Sequence, residues 1–223
     1  MKAMILAAGR GERMRPLTDR TPKPLLRVGE KPLIVWHLER LAQAGIKDVV
    51  INHAHLGAQI ETALGDGSQW GLHIQYSPEK VALETAGGIA NALPLLGDVP
   101  FLVVNGDVFT DINFATLKLD PPNLAHLVMI DNPPQHMAGD FVLLNEKVTL
   151  EGVKKLTFSG IGVYHPDLFA SVVRGEAAKL APLLKAAMIQ GLVSGSYHQG
   201  EWHDIGTPER LHTLDSQLLN SRN

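Results

Sequence analysis

Five cations, Arg10, Arg13, Arg15, Arg20 and Lys23, lie in one stretch near the N-terminus, interleaved with Gly9, Gly11, Pro16, Pro22 and Pro24. Glycine lets a backbone approach a ligand closely, proline stiffens the path, and cations suit phosphate. Residues 9–23 therefore have the composition of a phosphate-binding loop. It is not one of the familiar loops. After Gly9-Arg10-Gly11 a dinucleotide fingerprint needs a third glycine where Met14 stands, and no Gly-Lys-Ser/Thr follows as in a Walker loop. On its own the Gly-x-Gly pair reads equally well as a plain turn.

Carboxylates supply the second kind of chemistry. Asn105-Gly106-Asp107 directly follows the apolar run Phe101-Leu102-Val103-Val104. A carboxylate at the C-terminal end of a parallel strand faces the crevice where α/β sheets bind ligands, so Asp107 is placed to hold a metal; a simple turn is the other reading. Asp204 lies in Trp202-His203-Asp204-Ile205-Gly206-Thr207-Pro208, where Thr207 and Pro208 have the marks of a helix start.

Two glycine clusters also need a reason. Gly87 and Gly88 in Leu83-Glu84-Thr85-Ala86-Gly87-Gly88 sit inside a helical pattern, where each costs roughly 1 kcal/mol relative to alanine. Either backbone packs closely there or a ligand approaches. The glycines of Phe158-Ser159-Gly160-Ile161-Gly162-Val163-Tyr164 alternate along a strand, which suggests a bulge or a ligand lying against it. His53 and His55 lack a helical metal-pair spacing and read as surface histidines, and no Gly-x-Ser-x-Gly elbow occurs.

These residues need elements to position them. Short apolar runs alternate with helical patterns, which predicts βαβ units around a mostly parallel mixed sheet. Strands are expected at 3–8, 48–52, 72–76, 101–104, 125–130, 141–144, 155–164 and 193–198. Helices are expected at 32–44, 56–64, 84–93, 166–173 and 181–190, with a last one from Thr207. Residues 9–31 show no periodicity, and a loop that long inside a compact domain is usually functional.

The chain has 223 residues, a net charge of −3 and no cysteine. That fits one domain with a substantial core and excludes disulfides, thiolate zinc sites and a cysteine nucleophile. No Lys/Arg run marks a nucleic-acid partner. No stretch approaches the ~20 apolar residues of a membrane span, and the N-terminal apolar run is too short for a signal peptide. A cytoplasmic protein is expected; the oligomeric state is left open, with a monomer favoured.

The ordered string Leu6-Ala7-Ala8-Gly9-Arg10-Gly11-Glu12-Arg13-Met14-Arg15-Pro16-Leu17-Thr18, followed by Thr21-Pro22-Lys23-Pro24-Leu25, resembles the signature of the sugar nucleotidyltransferase family. The resemblance spans nearly the whole chain. It implies a single-domain, Rossmann-like three-layer α/β sandwich with a mostly parallel mixed sheet and no C-terminal β-helix domain. The nucleotide-binding part would cover roughly 1–110, the sugar-binding part roughly 111–206 and a closing helix 207–219. It also implies roles. Lys23 and Arg15 would act on the phosphates. Leu6, Ala7, Gly9, Gly11, Glu12, Arg13, Glu79, Ala86 and Gly87 would bind the nucleotide. Asn105, Gly139, Asp140, Ser159 and Gly160 would bind the sugar, and Asp107 and Asp204 would hold Mg²⁺. Two departures stand out: Glu84 replaces a glycine, and the family's Glu-Lys-Pro before the glycine strand is missing, which leaves its phosphate-binding lysine unassigned.

The implied activity is transfer of a nucleoside monophosphate from a triphosphate to a sugar 1-phosphate. Val50-Ile51-Asn52-His53-Ala54-His55-Leu56-Gly57 and the downstream glycine segments resemble most the branch that uses UTP and N-acetylmuramate 1-phosphate in peptidoglycan recycling. Guanylyl- and thymidylyl-transfer to a hexose 1-phosphate and cytidylyl-transfer to phosphocholine are alternatives within the class. A catalytically silent nucleotide-sensing subunit is the alternative outside it.

Overall fold

The computed structural model describes residues 1–220. In chain order its strands and helices are β1 (Ala3–Leu6), β2 (Arg27–Val28), β3 (Lys31–Pro32), α1 (Leu33–Gln43), β4 (Asp48–His53), α2 (Gly57–Leu64), β5 (His73–Pro78), α3 (Glu84–Leu96), β6 (Phe101–Asn105), β7 (Val108–Thr110), β8 (Ala125–Ile130), β9 (Val142–Leu144), β10 (Lys147–Thr149), β11 (Thr157–Tyr164), α4 (Leu180–Ile189), β12 (Val193–Tyr197), β13 (Trp202–Asp204) and α5 (Pro208–Asn220).

Nine strands form one mixed sheet in the order β5-β4-β1-β6-β11-β8-β12-β10-β9. The half that carries the N-terminal loop, β5-β4-β1-β6, is wholly parallel. β11 then runs antiparallel to both β6 and β8, and β12 runs parallel to β8.

Alternation along the strands builds the layers. Ala3, Ile5, Val49, Ile51, Leu102 and Val104 face α1 and α2, through Ile34, Leu38, Leu41, Ile60 and Leu64. Their neighbours Met4, Val50, Phe101 and Val103 face α3 and α4, through Ile89, Leu96, Leu184 and Met188. Successive side chains of a strand point to opposite faces, so strands apolar at every position are buried on both sides. This gives helix, sheet and helix as three layers. A third cluster (Met14, Val28, Leu33, Phe109, Ile205 and Leu214) fastens α5 over the N-terminal loop.

The chain leaves β1 toward β4 and β5, then returns through α3 to place β6 on the other side of β1. That reversal opens a crevice outside the carboxyl ends of β1 and β6, the place where open α/β sheets bind ligands. Leu6 and Asn105, the last residues of the two strands, are register partners across it, and the Gly106 amide donates to the Leu6 carbonyl.

Two expectations need correction, and one pairing went unanticipated. The helix expected at 166–173 is only a single 3₁₀ turn, Pro166–Phe169. The stretch 9–31 holds three 3₁₀ turns and the β2–β3 hairpin instead of featureless loop. The short ladder of β7 with β13 had no sequence signal, because three-residue strands show too few side chains for a period to appear. No helix among the described residues is long and apolar enough to cross a membrane.

Candidate active site

The N-terminal loop begins where β1 ends. Gly11, in the left-handed region at φ 69°, turns the chain into the 3₁₀ turn Glu12–Met14. Its place is crowded as well: a Cβ there would lie 2.9 Å from Thr18 Cγ2, while the Thr18 hydroxyl donates to the Gly11 carbonyl at 2.8 Å. Met14 is fully buried and anchors the turn in the core. This leaves Arg13 facing a cavity of about 490 Å³, within the range of small-molecule sites, while Arg15 falls beyond the turn.

That cavity is lined by Leu6, Ala7, Gly9, Gly11, Glu12, Arg13 and Lys23 from the N-terminal segment, and by Asn52, Glu79, Glu84 and Thr85 opposite them. Asn105, Gly106, Asp107 and Gly206 complete it. Glu79 is buried and accepts from Asn52 Nδ2 at 2.7 Å and from the Leu83 amide at 2.9 Å. Asn52 Oδ1 in turn accepts from the Ala7 amide at 2.9 Å. A buried carboxylate needs such donors, and here they fix its orientation at the cavity wall.

Lys23, almost wholly buried, places Nζ 2.7 Å from Asp107 Oδ2. The β7–β13 ladder sets Asp204 opposite Val108, and the Ile205 amide donates to the Asp107 carbonyl at 2.9 Å. Asp107 and Asp204 consequently open on one shared cavity of about 270 Å³. Asp204 is held by Arg210 of α5, with Nη1 to Oδ2 at 2.6 Å. Among the described residues no group of three or more His, Cys, Asp or Glu side chains gathers for a metal. The two carboxylates nevertheless suit a hard divalent cation that takes its remaining ligands from water and substrate phosphates. Each now carries a positive partner, Lys23 on one and Arg210 on the other.

His37 of α1 is fully buried close to Asp107 and the Val108 backbone, with neither ring nitrogen in good hydrogen-bonding geometry among the described residues. Burial lowers its pKa to about 4; the nearby Val108 backbone and Asp107 offset only part of that penalty.

Residues 2–141 match the nucleotidyl transferase family model. The chain belongs to the nucleotidyl transferase family. It is 59% identical, over 95% of both chains, to an N-acetylmuramate alpha-1-phosphate uridylyltransferase of Neisseria meningitidis. It is 32% identical to one of the same name from Caulobacter vibrioides, over 97% of this chain and 96% of that one. A mannose-1-phosphate guanylyltransferase of Mycobacterium tuberculosis is also 32% identical, over 93% of this chain but 61% of its own length. A glucose-1-phosphate thymidylyltransferase structure from Bacillus anthracis superposes with a TM-score of 0.84 over 98% of this chain and 95% of that one. At 22% identity, that likeness speaks for the fold alone.

Two further cavities adjoin the first and share Asn105 with it. Asn105, Asp140, Phe158 and Gly160 line both. Gly160 sits at φ 79° inside a bulge of β11, where the register against β8 shifts between Phe158 and Gly162. A Cβ there would lie 2.4 Å from Asn105 Nδ2, so only glycine lets Asn105 lie across the strand. Asp140 accepts from the Phe158 amide at 2.8 Å and holds His136 Nε2 at 3.0 Å. Ser159 lines the smaller cavity, and its carbonyl accepts from Trp202 Nε1 at 2.9 Å.

Several expected site residues do not line these cavities. Arg15 is half-exposed, and its Nε donates to Asp19 Oδ1 at 2.7 Å; this pair holds its pKa above the usual arginine value. Arg13, two positions earlier, lines the cavity instead. Ala86 and Gly87 are buried against the segment before α4: both amides donate to the Ala178 carbonyl, and a Cβ on Gly87 would lie 2.3 Å from the Glu176 carbonyl oxygen. Gly139 supports the turn that presents Asp140, beside Asn132 and Lys155. His53 is not at the surface; it is buried, with Nε2 2.7 Å from Glu61 Oε1.

Asn52, His136, Trp202 and Lys179 line the cavities without having been expected there. Of these, only Asn52 carried a sequence signal: it is a polar residue closing an apolar parallel strand, as Asn105 is.

Proposed function

We propose that this chain transfers UMP from UTP to N-acetylmuramate 1-phosphate, releasing pyrophosphate, and serves peptidoglycan recycling. The observation that carries the choice of substrates is the 59% identity over 95% of both chains to a uridylyltransferase of that specificity. The reaction class is supported by the Lys23–Asp107 pair in the wall of the largest of the three cavities.

In this reading the triphosphate lies along residues 9–23, with Arg13 and Lys23 against its phosphates and the base toward Asn52 and Glu79. A phosphate oxygen of the sugar 1-phosphate attacks the α-phosphorus in line, the bond to the β-phosphate oxygen breaks, and pyrophosphate leaves. Such transfers need positioning and charge neutralisation and no protein nucleophile. Lys23 faces the α-phosphate and Arg13 the departing pyrophosphate. Asp107 and Asp204 would hold Mg²⁺, which when bound would supply positive charge to neutralise the reacting phosphates.

A pyrophosphate-release screen of four nucleoside triphosphates against a panel of sugar 1-phosphates, with and without Mg²⁺, tests this. Turnover confined to UTP with N-acetylmuramate 1-phosphate is the expected result. Preference for GTP with a hexose 1-phosphate overturns the substrate assignment, and UTP binding with no turnover on any sugar overturns the activity.

A further inference from the structure

N-acetylmuramate differs from N-acetylglucosamine by a lactyl ether that ends in a carboxylate, and an enzyme that tells them apart needs a group for that charge. The larger sugar-side cavity, about 310 Å³, is walled largely by apolar side chains such as Phe141, Tyr164 and Leu184. A carboxylate entering such a space loses hydration and requires a counter-charge. Two of the charged residues lining the cavity, Glu84 and Asp140, are themselves acidic and would repel it. Lys179 is the one cationic side chain among the lining residues, and it makes no hydrogen bond or ion pair among the described residues. His136, which lines the adjoining cavity, is already committed to Asp140.

We infer that Lys179 recognises the lactyl carboxylate of the sugar and sets the preference for muramate over glucosamine. The inference rests on the substrate assignment above. The lysine directly precedes α4, whose first residues Leu180 and Ala181 also line the cavity, so the rigid helix holds the start of its side chain at the wall. The cavity shares Leu6, Glu84, Thr85 and Asn105 with the nucleotide cavity, which puts a sugar bound there beside the triphosphate.

Steady-state kinetics with N-acetylmuramate 1-phosphate and N-acetylglucosamine 1-phosphate, for the wild type and for Lys179→Ala, Lys179→Arg and Lys179→Glu, tests the inference. Lys179→Ala is expected to lower kcat/KM for the muramate sugar about 10- to 100-fold, mainly through KM, and to leave the glucosamine sugar unchanged. Lys179→Arg should recover most of the loss, and Lys179→Glu should deepen it. An equal loss on both sugars shows that the lysine meets a part they share, such as the phosphate, and overturns the inference. So does no loss on either while the wild type still prefers muramate. A wild type with no preference for muramate overturns the substrate assignment and, with it, this role of Lys179.

Discussion

Lys23 Nζ lies 2.7 Å from Asp107 Oδ2, although the two residues are 84 positions apart. The lysine is the buried partner and the aspartate the more open one, so the ammonium is held at the point where the loop meets the carboxyl end of β6. Lys23→Ala is expected to lower kcat on the order of 100- to 1000-fold, the scale of removing one preorganised charge from a reacting centre. The fold should survive, because the remaining Asp107 is open to solvent. Pyrophosphate-release rates and a thermal melt check both halves; a near-normal rate would remove Lys23 from the chemistry.

Arg13 and Arg15 separate two roles that the loop leaves undistinguished on paper. Only Arg13 lines the nucleotide cavity, whereas Arg15 is tied to Asp19 outside it. Arg13→Ala should cost kcat/KM for UTP at least about 10-fold more than Arg15→Ala, in line with the loss of a charged hydrogen bond. Comparable losses would show that Arg15 leaves Asp19 when the nucleotide binds.

Asp204 has Arg210 on one side and the shared cavity on the other. Asp204→Asn halves the carboxylate supply for a divalent cation, so the Mg²⁺ concentration giving half-maximal rate should rise about 10-fold or more. Titration of Mg²⁺ at saturating UTP measures this, and EDTA should abolish turnover of the unaltered enzyme. An unchanged Mg²⁺ requirement would leave Asp204 without a metal-binding role.

Gly88 faces the pair that orients the cavity wall. A Cβ there would lie 2.7 Å from Glu79 Oε1 and 2.9 Å from Asn52 Nδ2. Gly88→Ala is therefore expected to raise KM for UTP several-fold and to lower stability by about 1–3 kcal/mol through overpacking. Gly87→Ala meets the Glu176 carbonyl instead, and should lower stability with a smaller effect on KM. Denaturant titrations alongside UTP saturation curves separate the two.

His37 provides the pH-dependent element of the core. Its pKa is lowered from 6.5 to about 4 by burial, so between those values the unfolded chain binds the proton and the folded one does not. Stability from this group is therefore present above about pH 6.5 and lost as the pH falls toward 4, by up to roughly 3 kcal/mol. Urea titrations near neutral pH and near pH 4.5 should show this loss, and His37→Met should flatten it. The same slope in both proteins would place the acid sensitivity elsewhere.

Most strands and helices were legible because their apolar residues repeat with the right period: Phe101 to Val104 as a strand buried on both faces, Leu33 to Leu41 as a helix packed on one. That the N-terminal loop lines a cavity was legible from the residue types of Gly11, Arg13 and Lys23. The 3₁₀ turn at Pro166–Phe169 reads in sequence as the start of a longer helix, because the residues that follow a proline do not reveal where hydrogen bonding stops. The family resemblance gives Ala86 and Gly87 to the nucleotide, and the residue types leave the matter open, because closeness to a ligand and closeness to backbone ask for the same small residues. Choosing between them required the position of Glu176 and Ala178, far along the chain.

By itself the sequence determined the alternation of strands and helices, the cationic glycine–proline loop after the first strand, and the aspartate closing the central one. These are local properties, set by side-chain period, backbone freedom and charge. Only the tertiary structure decided which arginine faces the largest of the three cavities, that Asp107 and Asp204 open together on the smallest, and that Lys179 borders the third. Those outcomes depend on the direction of a buried anchor such as Met14, on the return of β13 to β7, and on the docking of α4. Each joins residues distant in sequence, and one-dimensional spacing carries no record of where such partners meet.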